Sequence, residues 1–221
     1  LLDYSETRCR WPAKEKVDDD LSDIFLHNDK APLIQIGMLY YLIIAEEIKA
    51  DTPKIYSPRY IFEKGIYLIN AMITSDNAII YKGLKLCLKM LDNIVDCNIS
   101  SKELDVDIHR TFCNNLVKLL IYSPSLRNRQ KGLAVLRSYI LKFDIHGRFI
   151  LIKNIIKSSN HKGLLAYLTT LYKDIVFEEL NSGKLSEFTS GNNFKELTMN
   201  HFCSLTDNVQ CDIADSSDQI N

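Results

Sequence analysis

Chemistry needs nucleophiles, bases or metal ligands at spacings that bring them together, and the nearest approach in this chain is Cys97, His109 and Cys113. His109 and Cys113 are four residues apart and would share one face of a helix, as two zinc ligands can. A fourth ligand at a recognisable spacing is missing, and Cys113 follows Phe112 on the apolar side, so Cys113 is read as a packed thiol. Nucleophilic catalysis asks for a Ser or Cys beside a His and an orienting acid, on a strained turn or in an electropositive pocket. No GxSxG, P-loop, GxGxxG or HExxH pattern occurs, and the expected loops are too short to carry a large active site. The acidic group Asp18, Asp19, Asp20 and Asp23 lacks the Gly and Glu positions of a calcium loop. It is read instead as a charged first turn that complements a helix dipole. His146 and His161 fall at predicted helix starts, where a polar side chain is ordinary. The chain is expected to be no enzyme and to need no metal or cofactor.

One group of residues suits binding rather than reaction. Arg127, Arg129, Lys131 and Arg137, near Tyr122 and Tyr139, have the chemistry to meet phosphates or an acidic partner. These four are the candidate partner-binding residues. The bland alternative is a solvated charged face.

The elements that would carry such a surface are helical. With 8 Gly and 5 Pro in 221 residues, helix breakers make up about 6% of the chain against ~12% in an average soluble protein. Sandwiches, small barrels and doubly wound sheets, which draw on Gly and Pro for frequent turns, are disfavoured. A hydrophobic share of 46% excludes disorder over the whole length. The formal net charge of −1 hides an uneven distribution. Glu196, Asp207, Asp212, Asp215 and Asp218 follow Lys195, the last basic residue, so residues 1–195 carry +4. That is a weak footprint for a nucleic-acid domain, which makes nucleic acid a disfavoured partner.

Cys9, Cys87, Cys97, Cys113, Cys203 and Cys211 show no CxxC and no regular spacing, as expected of reduced thiols. No signal-peptide pattern is present. The longest uncharged stretch, Ala31 to Ala45, falls short of the ~20 residues of a membrane span. A cytoplasmic protein without membrane contact is expected, in which the glycosylation pattern Asn98-Ile99-Ser100 is idle. The chain opens on Leu1 rather than Met, so either its amino terminus has been removed or it is a piece of something longer.

Three segments are expected. Residues 1–28 form a polar lead-in with a short helix around Leu21, Ile24 and Phe25. Residues 29–180 form a helical-repeat domain, and residues 181–221 a weakly structured to disordered acidic tail with at most one weak helix near 193–205. Within the domain, Asn28, Asp29 and Pro32 start a buried helix over about 30–49, ended by Asp51-Thr52-Pro53. Ser57-Pro58 starts another, with Phe62, Ile66, Ile69 and Ile73 inside. From Asp76, Ile80, Leu84, Cys87, Leu88, Leu91 and Ile94 face inward, opposite Lys82, Lys85, Lys89 and Asp92. Further helices are expected from Ser100 (Ile108, Phe112, Leu116 and Leu119 inside), Ser125 (Leu133, Leu136 and Ile140), Asp144 (Phe149, Ile152 and Ile156) and Ser159-Asn160 (Leu164, Leu168, Leu171 and Ile175).

Short loops between these helices force antiparallel neighbours, and helix pairs every ~40 residues mark a solenoid. Tyr56-Ser57-Pro58 recurs as Tyr122-Ser123-Pro124. Lys-Gly followed by an aliphatic residue occurs at 64–66, 82–84, 131–133 and 162–164, at irregular spacing. A glycine inside a helix costs ~1 kcal/mol relative to Ala. The repetition is explained if Gly65, Gly83, Gly132 and Gly163 let a neighbouring helix approach closely.

The stretch from Leu116 through Tyr122-Ser123-Pro124, Arg127, Lys131-Gly132-Leu133-Ala134, Leu136, Tyr139-Ile140 and Lys142 to Ser159-Asn160-His161-Lys162-Gly163 resembles the glomulin, or FKBP-associated protein, family. Ser57-Pro58-Arg59-Tyr60 and Lys82-Gly83-Leu84-Lys85-Leu86 fit the same family upstream, as do Trp11 and the acidic run at 15–23. The resemblance covers about residues 8–178 and corresponds to the middle of the family's chain. It implies an all-α solenoid of HEAT or armadillo type. It also implies a protein that inhibits cullin-RING ubiquitin ligases by binding the RING subunit where the ubiquitin-conjugating enzyme docks. The family's RING-contacting surface lies in its later repeats, so no contact residue is carried over. The alternative is a helical-repeat adaptor that binds nucleic acid or an acidic partner through the Arg127–Arg137 face.

Overall fold

A computed structural model describes residues 30–46 and 56–183, with Gly191 and Lys195. The helices expected near 21–25 and 193–205, the stop at Asp51-Thr52-Pro53 and the acidic tail lie outside the described residues. Within them the chain is all α, with seven α-helices and no strand. They are α1 (Lys30–Tyr40), α2 (Pro58–Ile73), α3 (Asn77–Asp92), α4 (Asp107–Tyr122), α5 (Leu126–Lys142), α6 (Ile145–Ser158) and α7 (Lys162–Asn181). The six helices expected after residue 56 are all present. No described helix is long and apolar enough to cross a membrane.

Helix starts follow the capping chemistry in most places. Ser57 Oγ accepts from Tyr60 N at 3.2 Å, with Pro58 at the first helical position. Ser125 Oγ accepts from Asn128 N at 3.3 Å, and Asp144 Oδ1 from Gly147 N at 2.7 Å. Two expected starts move. The element expected from Ser100 is a short 3₁₀ turn, Ser101–Asp105, and α4 begins only at Asp107. The reason is tertiary: Asp144 Oδ2 takes the Ser101 N–H at 2.9 Å while Leu104 is buried, and extended Val106 then redirects the chain. At α7 the cap is His161, whose Nδ1 accepts from Leu164 N at 3.2 Å, while Ser159 Oγ accepts from His161 N at 3.3 Å. The helix expected over 30–49 is α-helical to Tyr40 and then opens into a π turn, Tyr41–Ala45, that buries Tyr41.

Helices α1 and α2, α2 and α3, α4 and α5, α5 and α6, and α6 and α7 pack together, and so do helices two apart: α2 on α4 and α3 on α5. Helix α1 lies on α2, and its π turn lies on α3. Asn115 Nδ2 donates to Asn70 Oδ1 at 2.9 Å, tying α4 to α2. Helix α7 packs on α6 and reaches back to α5, where Tyr167 Oη donates to the Leu133 carbonyl at 3.2 Å and Asp174 pairs with Arg137 at 3.5 Å. One continuous core runs through the helices, and its largest fully buried side chains are Tyr139, Phe62, Phe112 and Phe143.

The segment after α3 closes the end of α5. Backbone N–H groups of Cys97 and Ile99 donate to the carbonyls of Leu141 (3.2 Å) and Lys142 (3.0 Å), and Asp144 N returns a bond to the Ile99 carbonyl at 2.9 Å. Arg148, 6% exposed, donates to the Phe143 and Leu141 carbonyls at 2.9 and 2.6 Å. A helix C-terminus leaves carbonyls without intrahelical partners and carries partial negative charge. A loop and a buried guanidinium together satisfy it here.

Three of the four glycines expected at close contacts are there, and one is not. A Cβ on Gly83 would meet Met72 Cβ at 2.8 Å, and one on Gly132 would meet Leu120 Cδ2 at 2.8 Å. Each glycine is the seventh residue of its helix and sits against the end of the preceding helix. Gly65 faces the tip of Met90, whereas Gly163 meets only the side chain of His161 in its own turn. The pair at spacing 49 is therefore the one that occupies equivalent places. These contacts set a stability contrast. Gly83→Ala gains ~1 kcal/mol of helix propensity but drives a methyl into a Cβ that cannot swing away, and overpacking costs about 1–3 kcal/mol. Gly65→Ala meets only the Sδ and Cε of a flexible Met. Urea unfolding is expected to show Gly83→Ala destabilised and Gly65→Ala unchanged or stabilised; the reverse order would remove the close-approach account.

Candidate partner-binding surface

The four basic residues lie on α5, but the helix distributes them. At 100° per residue Arg127 and Lys131 fall within about 40° of each other, while Arg129 and Arg137 point elsewhere. Arg129 Nη1 donates to the Ser123 carbonyl at 2.5 Å, closing the α4–α5 turn. Arg137 pairs with Asp174 on α7. Arg127 leaves α5 altogether, its guanidinium stacking 3.8 Å from the ring centroid of Tyr81 on α3.

That stack forms one wall of a groove of about 500 Å³ between the starts of α3 and α5 and the π turn. Its lining includes Tyr41, Asn77, Tyr81, Lys82, Ser125 and Arg127. Asn128, 2% exposed, ties the two helix starts together by donating from Nδ2 to the Asn77 carbonyl at 3.3 Å. Lys82 and Lys85 lie 5.8 and 5.6 Å from the ring centroid of Tyr41. Glu46 pairs with Lys85 at 2.8 Å and also accepts from the Tyr41 hydroxyl. Those hydrogen bonds, the Lys85 one first, hold the Glu46 carboxyl below its ordinary range. Lys85 is thus spoken for, whereas no described carboxylate is ion-paired with Lys82 or Arg127. Sequence reasoning placed Lys82 on a solvated face and passed over Tyr41 and Tyr81. The available signal was the second Lys-Gly-Leu, which puts Lys82 and Lys131 in corresponding positions of packed helices.

The residues weighed for metal binding do not converge. Cys113 is buried, and burial pushes its thiol up to about 12 despite a hydrogen bond from Tyr139 that acts the other way. His109, 4% exposed, shares a 2.7 Å hydrogen bond between Nδ1 and the Tyr139 hydroxyl, and burial lowers its pKa to about 4. Cys97 is exposed at φ +59°, with Arg148 Nη2 2.9 Å from its sulfur. Among the described residues no three His, Cys, Asp or Glu side chains are grouped to hold a metal ion. His146 Nδ1 lies 3.3 Å from Ser101 Oγ, in the α6 contact with the 3₁₀ turn.

Packed helices and a groove lined by rings and by cations without a described ion pair are those of a helix-packed protein of the protein-binding type. A model of the family described as "Uncharacterised protein family, YAP/Alf4/glomulin" matches residues 15–221. The chain belongs to this family. It is similar to human glomulin, 27% identical over 158 residues, which cover 71% of this chain and 27% of that protein. To mouse glomulin it is 26% identical over 170 residues, 76% of this chain and 27% of that protein. The chain thus aligns with about a quarter of the length of these relatives.

The buried His109 makes a pH prediction. Its folded pKa of about 4 lies below the 6.5 of an exposed histidine, so the unfolded chain binds the extra proton between those values. Stability is then full above pH 6.5 and falls as pH drops toward 4, by about 3 kcal/mol from this group. Denaturant midpoints measured across that window are expected to fall in the wild type and to fall less steeply in His109→Gln, whose amide can still meet the Tyr139 hydroxyl. Equal slopes would show that His109 does not carry the dependence.

Proposed function

We propose that this chain is a section of a glomulin-type scaffold, a HEAT/armadillo-like helical-repeat solenoid. In this reading the whole scaffold inhibits cullin-RING ubiquitin ligases in the cytoplasm by binding the RING subunit and blocking the ubiquitin-conjugating enzyme, and this chain is a fragment that lacks much of the RING-binding surface. The observation that carries the reading is the family match over residues 15–221. The architecture supports it. Helices α2 and α4 pack together, as do α3 and α5, and the seventh-residue glycines Gly83 and Gly132 hold matching contacts, as stacked helical hairpins require. The proposed repeat domain spans residues 29–180. A scaffold of this kind acts by steric exclusion and needs no catalytic group. The nucleic-acid alternative needs several free cations on one face, and the separation of Arg129 and Arg137 from Arg127 tells against it.

The test is calorimetry of this chain against a RING subunit bound to its cullin fragment, run beside human glomulin, with ubiquitin discharge from the conjugating enzyme as the second readout. Binding and slowed discharge are expected of a version of this chain extended by the family's later repeats, with weaker binding by the chain itself. If human glomulin gives both signals and the extended version gives neither, the ligase reading fails.

A further inference from the structure

We propose that the groove between the starts of α3 and α5 receives an acidic segment of a protein partner. The inference rests on the protein-binding reading above and names the chemistry of one contact surface. Three features of the groove converge on carboxylate side chains.

The first is charge held ready. Arg127 lies flat on Tyr81 at 3.8 Å and Lys82 stands beside the Tyr41 ring at 5.8 Å. A ring face restrains a long cationic side chain without neutralising it, which lowers the ordering cost when an anion arrives. Among the described residues at the π turn, Glu46 is the acidic side chain; its hydrogen bonds go to Lys85 and Tyr41, and Lys82 acts on it only through its charge.

The second is exposed apolar surface close by in the chain. Leu126, between groove residues Ser125 and Arg127, is 59% exposed, and Tyr122, three residues before Ser125, is 77% exposed. An acidic segment carrying an aliphatic residue can use both kinds of surface. A cation-lined groove about 500 Å³ in volume holds a few peptide side chains rather than a long polyanion.

The third is the chemistry of the walls. Asp76 at the start of α3 makes no side-chain cap bond, so the first-turn N–H groups beside Asn77 remain open to an incoming acceptor. Two cations without a described ion pair, with these donors, suit carboxylates on a short peptide. A nucleic-acid backbone calls for a longer basic track.

The test uses the full 221-residue chain and a short fluorescein-labelled peptide of aspartates and glutamates around one leucine, read by fluorescence anisotropy. Saturable binding that weakens with added salt is expected. The double variant Lys82→Gln/Arg127→Gln is expected to lose affinity about tenfold or more, with unchanged helical circular dichroism. Lys118→Gln, which removes one positive charge on the exposed face of α4, is expected to stay within about twofold of wild type. Absence of binding, or equal binding by the double variant, overturns the proposal. So does a single-stranded oligonucleotide of equal charge that binds as tightly as the peptide. A gain in peptide affinity on neutralising Asp18, Asp19 and Asp20 to Asn would also overturn it, since the chain's own acidic run would then be the occupant. The peptide titration contains no RING subunit, so a failed ligase assay and a failed groove assay are separate results.

Discussion

Tyr139 has to bury a large ring and still satisfy its hydroxyl, and much of the packing follows from how it does both. Its ring centroid lies 5.1 Å from Phe112 on α4 and from Phe143 after α5, and 6.3 Å from Phe62 on α2. Edge-to-face and tilted pairs of this kind contribute about 0.5–1.5 kcal/mol each beyond the area they bury. The hydroxyl meets His109 at 2.7 Å. A phenol left unpaired there would cost about 1–3 kcal/mol. The contact therefore fixes the rotation of α4 relative to α5 as well as their distance. Burial keeps His109 neutral in the core, and a residue with ligand chemistry does structural service there instead.

From that centre the order spreads through helix ends. Asp144 holds two N–H groups, from Gly147 and Ser101, and so joins the start of α6 to the 3₁₀ turn before α4. Arg148 and the 97–99 segment fill the carbonyls at the end of α5. Lys142 adds an ion pair to Asp96 at 2.8 Å. These bonds tie segments more than forty residues apart, so the loop after α3 is a fixed part of the stack. At the opposite end of α5, Asn128 joins the α3 and α5 starts, and the groove is the space left between them and the π turn. The surface that suits a partner is thus a consequence of how neighbouring helix starts are held side by side.

Family membership and this geometry agree on a helix-packed fold of the protein-binding type. Side chains with catalytic potential are withdrawn into the core, as with Cys113 and His109, while the cations at the groove are restrained by rings and have no described ion pair. A rigid helical stack offers such a surface at little entropic cost on binding. The glomulins of the same family are far longer than this chain, and a stack of paired helices extends without rebuilding its core because each pair contacts only its neighbours.

Helix type and most helix starts were legible in the residues, because capping and 3.6-residue periodicity are local. Ser57-Pro58, Ser125 and Asp144 act where their chemistry says they should. Local reasoning failed where a distant group supplied the bond. Asp144 converts the Ser100 start into a 3₁₀ turn. Among the four Lys-Gly sites, spacing alone did not single out the pair that mattered. Gly83 and Gly132 stand out once each is seen against the end of its preceding helix. The basic residues follow the same rule: their proximity in sequence is a property of one helix, but Arg127 finds Tyr81 and Arg137 finds Asp174 across helix contacts. Composition and periodicity were enough for an all-α chain with these helices, since both act within a few residues. The pairing of helices, and with it the groove and the fate of each charged side chain, depends on groups brought together from far apart in the chain and belongs to the packed structure alone.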